Sequence, residues 1–257
     1  MNICIIGCSH SCGNPFTRSD DSGIPWTYDR NSGWVAGLAM AYPQHNFYNW
    51  STPGTGFSVQ SMLVDKADAC DWIDLIILQQ TQVRHHIPLN NFVLHNYELT
   101  ERDSPTLNNL QHKWFNTHQA IVISWPFIHD KDQSRRDCDT KYLNVPELST
   151  TSQAQHVLAD RILLNTGWRS VHFQYQCYID KIQKLSKMKK ILCFNWGSET
   201  DNIVIDFLMN KHSISNRREA NALLNTIMEP FGGHFPNELQ HLILKVLINP
   251  ALRHFLE

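Results

Sequence analysis

An α/β fold built on a central parallel sheet is predicted by three features of this chain. Short apolar runs at residues 2–7 and 73–78 (Ile-Asp-Leu-Ile-Ile-Leu for the second) each end in a polar or glycine-containing loop. A further strand-like run lies between them at residues 45–50. Segments with helical spacing separate the strands, and strands alternating with helices imply βαβ units and a parallel sheet.

The first run, Ile3 to Ile6, is uniformly apolar, as a strand buried on both faces should be. Gly7, Cys8, Ser9 and His10 follow it, with Gly13 just beyond. Residues 11–32 are rich in Ser, Asp, Gly, Asn and Pro and read as a long polar loop, a kind of segment that often carries function beside a rigid strand end. Trp34, Leu38 and Met40 suggest a short helix stopped by Pro43. After the strand at 45–50, Ser51-Thr52-Pro53-Gly54-Thr55-Gly56 is a tight turn, and residues 57–64 open a helix.

The strand at 73–78 runs into Gln79, Gln80, Thr81 and Gln82, with Arg84 beyond. Residues 85–115 are polar and aromatic, 120–125 are apolar enough for a strand, and 128–150 are loop-like. An insertion or cap at 85–150 is therefore expected within one domain spanning 1–257. Residues 152–165 and 168–187 read as helices. In the second, Val171, Tyr175, Tyr178, Ile182 and Leu185 share one face, and Lys187, Lys189 and Lys190 suit its C-terminal end. Residues 191–196 are another strand. Gly232-Gly233-His234-Phe235-Pro236 is a turn, and Pro236 is well placed to start a helix whose apolar face is Leu239, Leu242, Ile243, Val246 and Leu247.

Composition excludes several function classes. The chain has 257 residues, 42% of them hydrophobic, enough for a sizeable core. With 22 basic and 24 acidic residues the formal net charge is -2, which argues against nucleic acid held by a broad basic patch. No apolar stretch approaches the roughly 20 residues of a membrane-spanning helix. The seven cysteines are an odd number at irregular spacing, and the first residues lack the basic flank of a secretory signal, so a cytoplasmic location is expected. Cys4, Cys8 and Cys12 are evenly spaced but contain no Cys-x-x-Cys pair, and Cys4 sits inside an apolar strand, so no metal is expected there. No phosphate-binding glycine motif is present, and no organic cofactor is expected.

Three strand ends and one late turn supply what acyl transfer needs. In open α/β sheets ligands bind beyond the carboxyl ends of the strands. A serine hydroxyl there becomes a nucleophile once a base takes its proton, and Ser9 and His234 are the candidates for these roles. The Ser9 amide, the amide of Gly54 and a side chain from Gln79 or Thr81 are candidate donors to a tetrahedral oxyanion. Each also has a plainer reading. Ser9 can cap the turn after its strand, His234 can bond to backbone, Gly54 or Gly56 can shape a turn, and Gln79, Thr81 and Arg84 can be an ordinary polar strand end.

Taken together, Gly7-Cys8-Ser9, Pro53-Gly54 after the second strand, a polar residue after the third, and a histidine turn before the last helix resemble the SGNH/GDSL hydrolases. The resemblance is to the branch whose first block reads Gly-Cys-Ser-Phe-Thr, found often in phage and bacterial genomes; here the block is Gly7-Cys8-Ser9-His10-Ser11. The helix of Trp34, and Thr81 with Arg84, also fit that branch. The similarity covers residues 1–84 and 191–257 and leaves the middle aside. It implies a three-layer α/β/α sandwich of flavodoxin-like type, with Ser9 as nucleophile, His234 as base and Gly54 as the second-block glycine. It implies a serine esterase or acylhydrolase acting on a small-molecule or carbohydrate ester, with an O-acetyl group on carbohydrate as the substrate by analogy.

Two departures accompany the likeness. The family's oxyanion-donating Asn is replaced by Gln79-Gln80-Thr81-Gln82, and the Asp that usually precedes the histidine is replaced by Phe231 and Gly232. Glu229 is the nearest carboxylate and the candidate acid partner. A Ser-His dyad is one reading of this pattern. A catalytically inactive SGNH-like domain that binds a glycan or a protein is the other.

Overall fold

The computed structural model describes residues 1–17, 26–29, 31–51, 56–80, 83–88, 120–125, 139–143, 168–231 and 233–256. Its centre is a four-stranded, all-parallel sheet of β1 (Asn2–Ile6), β4 (Asn46–Asn49), β5 (Leu75–Gln80) and β9 (Ile191–Asn195), in the order β4-β1-β5-β9. In register, Ile3 lies between Phe47 and Leu75, and Ile77 lies beside Leu192. Branched side chains suit this pleated, doubly covered surface.

Alternation along β1 and β5 divides the core in two. Cys4, Ile6, Ile76 and Leu78 face α2 (Phe57–Asp68) and α3 (Trp168–Lys187), meeting Leu63, Val64, Tyr178 and Ile182. Ile3, Ile5, Leu75 and Ile77 face the opposite way. Their partners come from α1 (Gly33–Ala41), α4 (Ser198–His212), α5 (Arg217–Met228), α6 (Asn237–Ile243) and α7 (Asn249–Leu256). Helices thus cover both faces of a parallel sheet, as the sequence predicts for an α/β chain. Among the described residues no helix is long and apolar enough to cross a membrane.

Three expectations need correction. Residues 11–32 are not wholly loop, since β2 (Asn14–Thr17) and β3 (Trp26–Asp29) pair antiparallel, Phe16 opposite Thr27 and Thr17 opposite Trp26. Their turn-forming neighbours mask two strands of four residues each. Likewise 128–150 contains β8 (Asp139–Leu143), which pairs with β7 (Ala120–Trp125), itself paired with β6 (Val83–Pro88), in a separate antiparallel sheet. Polar residues such as Asp139 and Lys141 gave β8 no apolar signature. The helix expected at 152–165 lies outside the described residues.

The third correction concerns the last helix. A wide turn at Leu244–Ile248 follows α6, so the buried series becomes Leu239, Ile243, Leu244, Ile248 and Leu252, while Val246 is exposed. Each such turn takes one residue more than an α-helical turn, which rotates later side chains away from the regular face.

Gly7 closes β1 and leaves no room for a side chain. A Cβ there would collide with Ser11 Oγ and would approach Gln79 Oε1 to 2.7 Å and Ser11 Cβ to 2.8 Å. Gly7→Ala is therefore expected to cost about 1–3 kcal/mol, the usual range for overpacking, read as a lowered urea midpoint at unchanged slope.

Candidate active site

Ser9 and His234 meet. Ser9 opens a single tight turn, Ser9–Ser11, directly after β1, and His234 lies in the loop between Phe231 and α6. Although 225 positions apart in sequence, the Ser9 hydroxyl and the His234 Nε2 are 2.7 Å apart. The other ring nitrogen, Nδ1, lies 3.0 Å from the carbonyl oxygen of Phe231. A carbonyl only accepts, so Nδ1 carries a proton, and in the neutral ring Nε2 is then the acceptor for the Ser9 hydroxyl. This is the tautomer a general base toward serine requires. The acceptor on Nδ1 is thus main-chain rather than a carboxylate. Glu229 stands two residues before Phe231 in the same turn, with its side chain exposed.

Both side chains are half-buried, and aromatic rings pack beside them. The His10 ring stacks on Trp196 at 4.9 Å between centroids and also meets the His234 ring at 4.7 Å. Trp196 in turn packs against Phe235 at 5.5 Å. Ser9 follows β1 and Trp196 follows β9, so the group gathers at the carboxyl ends of the strands. The chain leaves β1 for β4 on one side and returns to β5 on the other, which places the crevice at the reversal of strand order.

Gln79, the penultimate residue of β5, takes a different part from the one its position suggested. Its side chain is fully buried, and its Oε1 accepts from the Cys8 amide at 3.1 Å and from the Ser11 hydroxyl at 2.7 Å. The Cys8 N–H can only donate, which fixes the oxygen end of Gln79 toward the serine loop. Its Nε2 donates instead to the Gln80 carbonyl at 3.3 Å. Gln79 is a clamp on the turn that carries Ser9, with its donor end turned away from Ser9. The clamp draws the Cys8 amide inward, while the Ser9 amide donates to no described residue. Gly54 and Thr81, the other candidate donors, lie outside the described residues.

More polar contacts hold the same turn, and sequence reading found none of them. Asn49 Nδ2 donates to the Ser11 carbonyl at 2.7 Å, and the Trp34 indole donates to the His10 carbonyl at 3.0 Å. Cys12, which a metal reading had drawn attention to, is buried and directs its thiol to the carbonyls of Cys8 and Ser51. Among the described residues no group of His, Cys, Asp and Glu could hold a metal ion.

Behind Gln79 runs a buried polar chain. Tyr178 from α3 donates to Gln60 Oε1 at 3.0 Å, and Gln60 Nε2 donates to the Gln79 carbonyl at 3.0 Å. Burial pushes the Tyr178 phenol well above its ordinary value of 10.0, Cys193 adds to the rise, and a hydrogen bond with Gln80 offsets part of it. A phenol whose folded value is raised holds its proton more tightly than in the unfolded chain. Its contribution to stability is therefore intact below about pH 10 and is lost as the pH climbs through the folded value. Urea midpoints should fall above about pH 10, and Tyr178→Phe should make that fall shallower.

Comparison of the chain with family models, with curated proteins and with solved structures finds no match.

Proposed function

We propose that this protein is a serine esterase or acylhydrolase of the SGNH/GDSL type. The observation that carries the reading is the Ser9–His234 pair at 2.7 Å, with Nδ1 held at 3.0 Å by the Phe231 carbonyl. The order of the parallel strands, β4-β1-β5-β9, is that of the first four strands of a flavodoxin-like sheet and supports the finer fold assignment.

In this reading Ser9 Oγ attacks the carbonyl carbon of a carboxylic ester as its proton passes to His234 Nε2. The former carbonyl oxygen becomes an oxyanion that the Ser9 amide stabilises, helped by Gly54 as the family likeness implies. The intermediate collapses, the C–O bond to the alcohol breaks, and His234 returns the proton to that alcohol. Water, deprotonated by His234, then attacks the Ser9 ester; the bond from the acyl carbon to Ser9 Oγ breaks, the acid is released, and His234 Nε2 returns the proton to Ser9 Oγ. The Phe231 carbonyl keeps the ring oriented and accepts from Nδ1–H throughout. It carries no full charge, so it stabilises the imidazolium less than a carboxylate would. No cofactor enters these steps. An O-acetyl group on a carbohydrate is the proposed substrate class, by analogy with the family.

A fluorophosphonate probe followed by peptide mass mapping tests the proposal. Modification of Ser9 in the wild type, lost in Ser9→Ala and strongly slowed in His234→Ala, is the expected result. A folded wild-type protein that neither reacts with the probe nor hydrolyses short-chain p-nitrophenyl esters would overturn it and favour a glycan- or protein-binding module.

A further inference from the structure

The Ser9 turn and the His234 turn belong to distant parts of the chain, and a hydrogen-bonded circuit joins them. Ser32 precedes α1 but spends its hydroxyl on the Asp29 carbonyl, at 2.8 Å, instead of capping the helix. Two side chains from α6 do that work: Asn237 Oδ1 accepts from the Gly33 amide at 2.7 Å, and Gln240 Oε1 accepts from the Trp34 amide at 3.3 Å. The first amides of a helix have no partner inside it, so such acceptors are needed.

Gln240 reaches further. Its side chain is 1% exposed, and its Nε2 donates to the Phe235 carbonyl at 2.9 Å and, at the limit of a hydrogen bond, to the Gly13 carbonyl at 3.5 Å. Trp34 completes the path by donating its indole N–H to the His10 carbonyl. The circuit therefore runs from the residue after His234, through Gln240 and Trp34, to the residue after Ser9, and closes through the Ser9–His234 contact. Only one orientation of the Gln240 amide fits, oxygen to the Trp34 N–H and nitrogen to the carbonyls. Gly33, at φ +82, leaves the space, since a Cβ there would stand 2.5 Å from Gln240 Oε1.

We propose that Gln240, acting through Trp34, is a positioning residue that sets the placement of His234 relative to Ser9; this rests on the reading of those two as a catalytic pair. Displacements of about 1 Å can cost on the order of a hundredfold in rate, and Gln240 holds the neighbour of His234 directly and the neighbour of Ser9 only through Trp34, while contacting neither of the reacting atoms.

Gln240→Met keeps the approximate size and removes both hydrogen-bonding ends. The expected result is a fall of about ten- to a hundredfold in the rate of fluorophosphonate labelling per folded molecule. With p-nitrophenyl acetate the fall should sit in kcat while KM is held. Nitrogen-15 histidine spectra should show His234 passing from one Nδ1–H tautomer to a mixture. Leu252→Ala, which opens a cavity in α7 among apolar side chains and touches none of the circuit's hydrogen bonds, should lower stability without slowing labelling. Should Gln240→Met not fold, Trp34→Phe, which removes the indole donor and keeps an aromatic ring, takes its place. Labelling at the wild-type rate with an unchanged tautomer would overturn the proposal. An unreactive wild type would overturn the hydrolase reading instead, and the tautomer spectrum alone would then decide whether Gln240 orients His234.

Discussion

Ser9→Ala and His234→Ala are each expected to lower kcat/KM for a short-chain p-nitrophenyl ester by at least about a thousandfold. The two act as a unit. In the proposed mechanism no acyl-enzyme forms without Ser9, and the hydroxyl keeps its proton without His234. The double variant should therefore be no slower than either single one, since a nucleophile and its base do not contribute additively. Additive losses would mean that His234 acts on something other than the Ser9 proton. Glu229→Gln supplies the contrast. The partner of His234 Nδ1 is the Phe231 carbonyl at 3.0 Å, and the Glu229 side chain is exposed. Its neutral isostere should stay within about twofold of the wild type, as exposed substitutions commonly do. A large loss in Glu229→Gln would show that the carboxylate is the acid partner after all.

Gln79→Leu is expected to be the most destabilising single change around the site. It strands the buried Cys8 amide and Ser11 hydroxyl, together with the weaker Cys8 thiol donor, all of which end on Gln79 Oε1. An unsatisfied buried polar group costs about 1–3 kcal/mol, so the amide and hydroxyl together place the loss at roughly 2–6 kcal/mol. The leucine has the size of the glutamine, so the loss measures hydrogen bonding more than cavity formation. A double-mutant cycle with Ser11→Ala checks the cause. Removing the Ser11 hydroxyl should cost less in the Gln79→Leu background than in the wild type, because the stranded donor is then gone. Independent, additive costs would refute the clamp. Ser9 labelling should also slow in Gln79→Leu, since the turn that carries Ser9 loses its main side-chain anchor.

Much of the scaffold was readable because burial on both faces leaves a plain apolar run. β1, β5 and β9 were found within a residue or two, as were α1 and α3, while α2 was found at its start and runs four residues past the 57–64 expected. In α3 the spacing of Tyr178, Ile182 and Leu185 marks the face that is in fact buried. Short strands hidden among turn-forming residues, β2, β3 and β8, gave no such signal. Nor did α4 and α5, where charged and amide side chains dilute the apolar face. Val246 was misplaced for a different reason: the wide turn before α7 changes the helical period, and nothing in Leu-Lys-Val-Leu-Ile announces it.

Ser9 and His234 stood out as candidates through their order along the chain, a serine after the first strand, Pro53-Gly54 after the second, a polar residue after the third and a histidine turn before the last helix, since each alone has a plainer reading. What the sequence by itself determined, then, was the parallel α/β scaffold and the two residues that meet on it. The scaffold follows from local physics, apolar runs that must be buried, and the two residues from the order in which turn and strand-end motifs recur along the chain. Only the tertiary structure decided which atoms orient those residues. The Phe231 carbonyl on Nδ1, the Gln79 clamp and the Gln240 circuit are hydrogen bonds whose partners are either main-chain atoms or amide side chains from distant segments. A carbonyl is present at every residue, and a buried glutamine looks in sequence like an exposed one. Their roles arise only when packing brings an unpaired N–H or C=O within reach and excludes the water that would otherwise satisfy it.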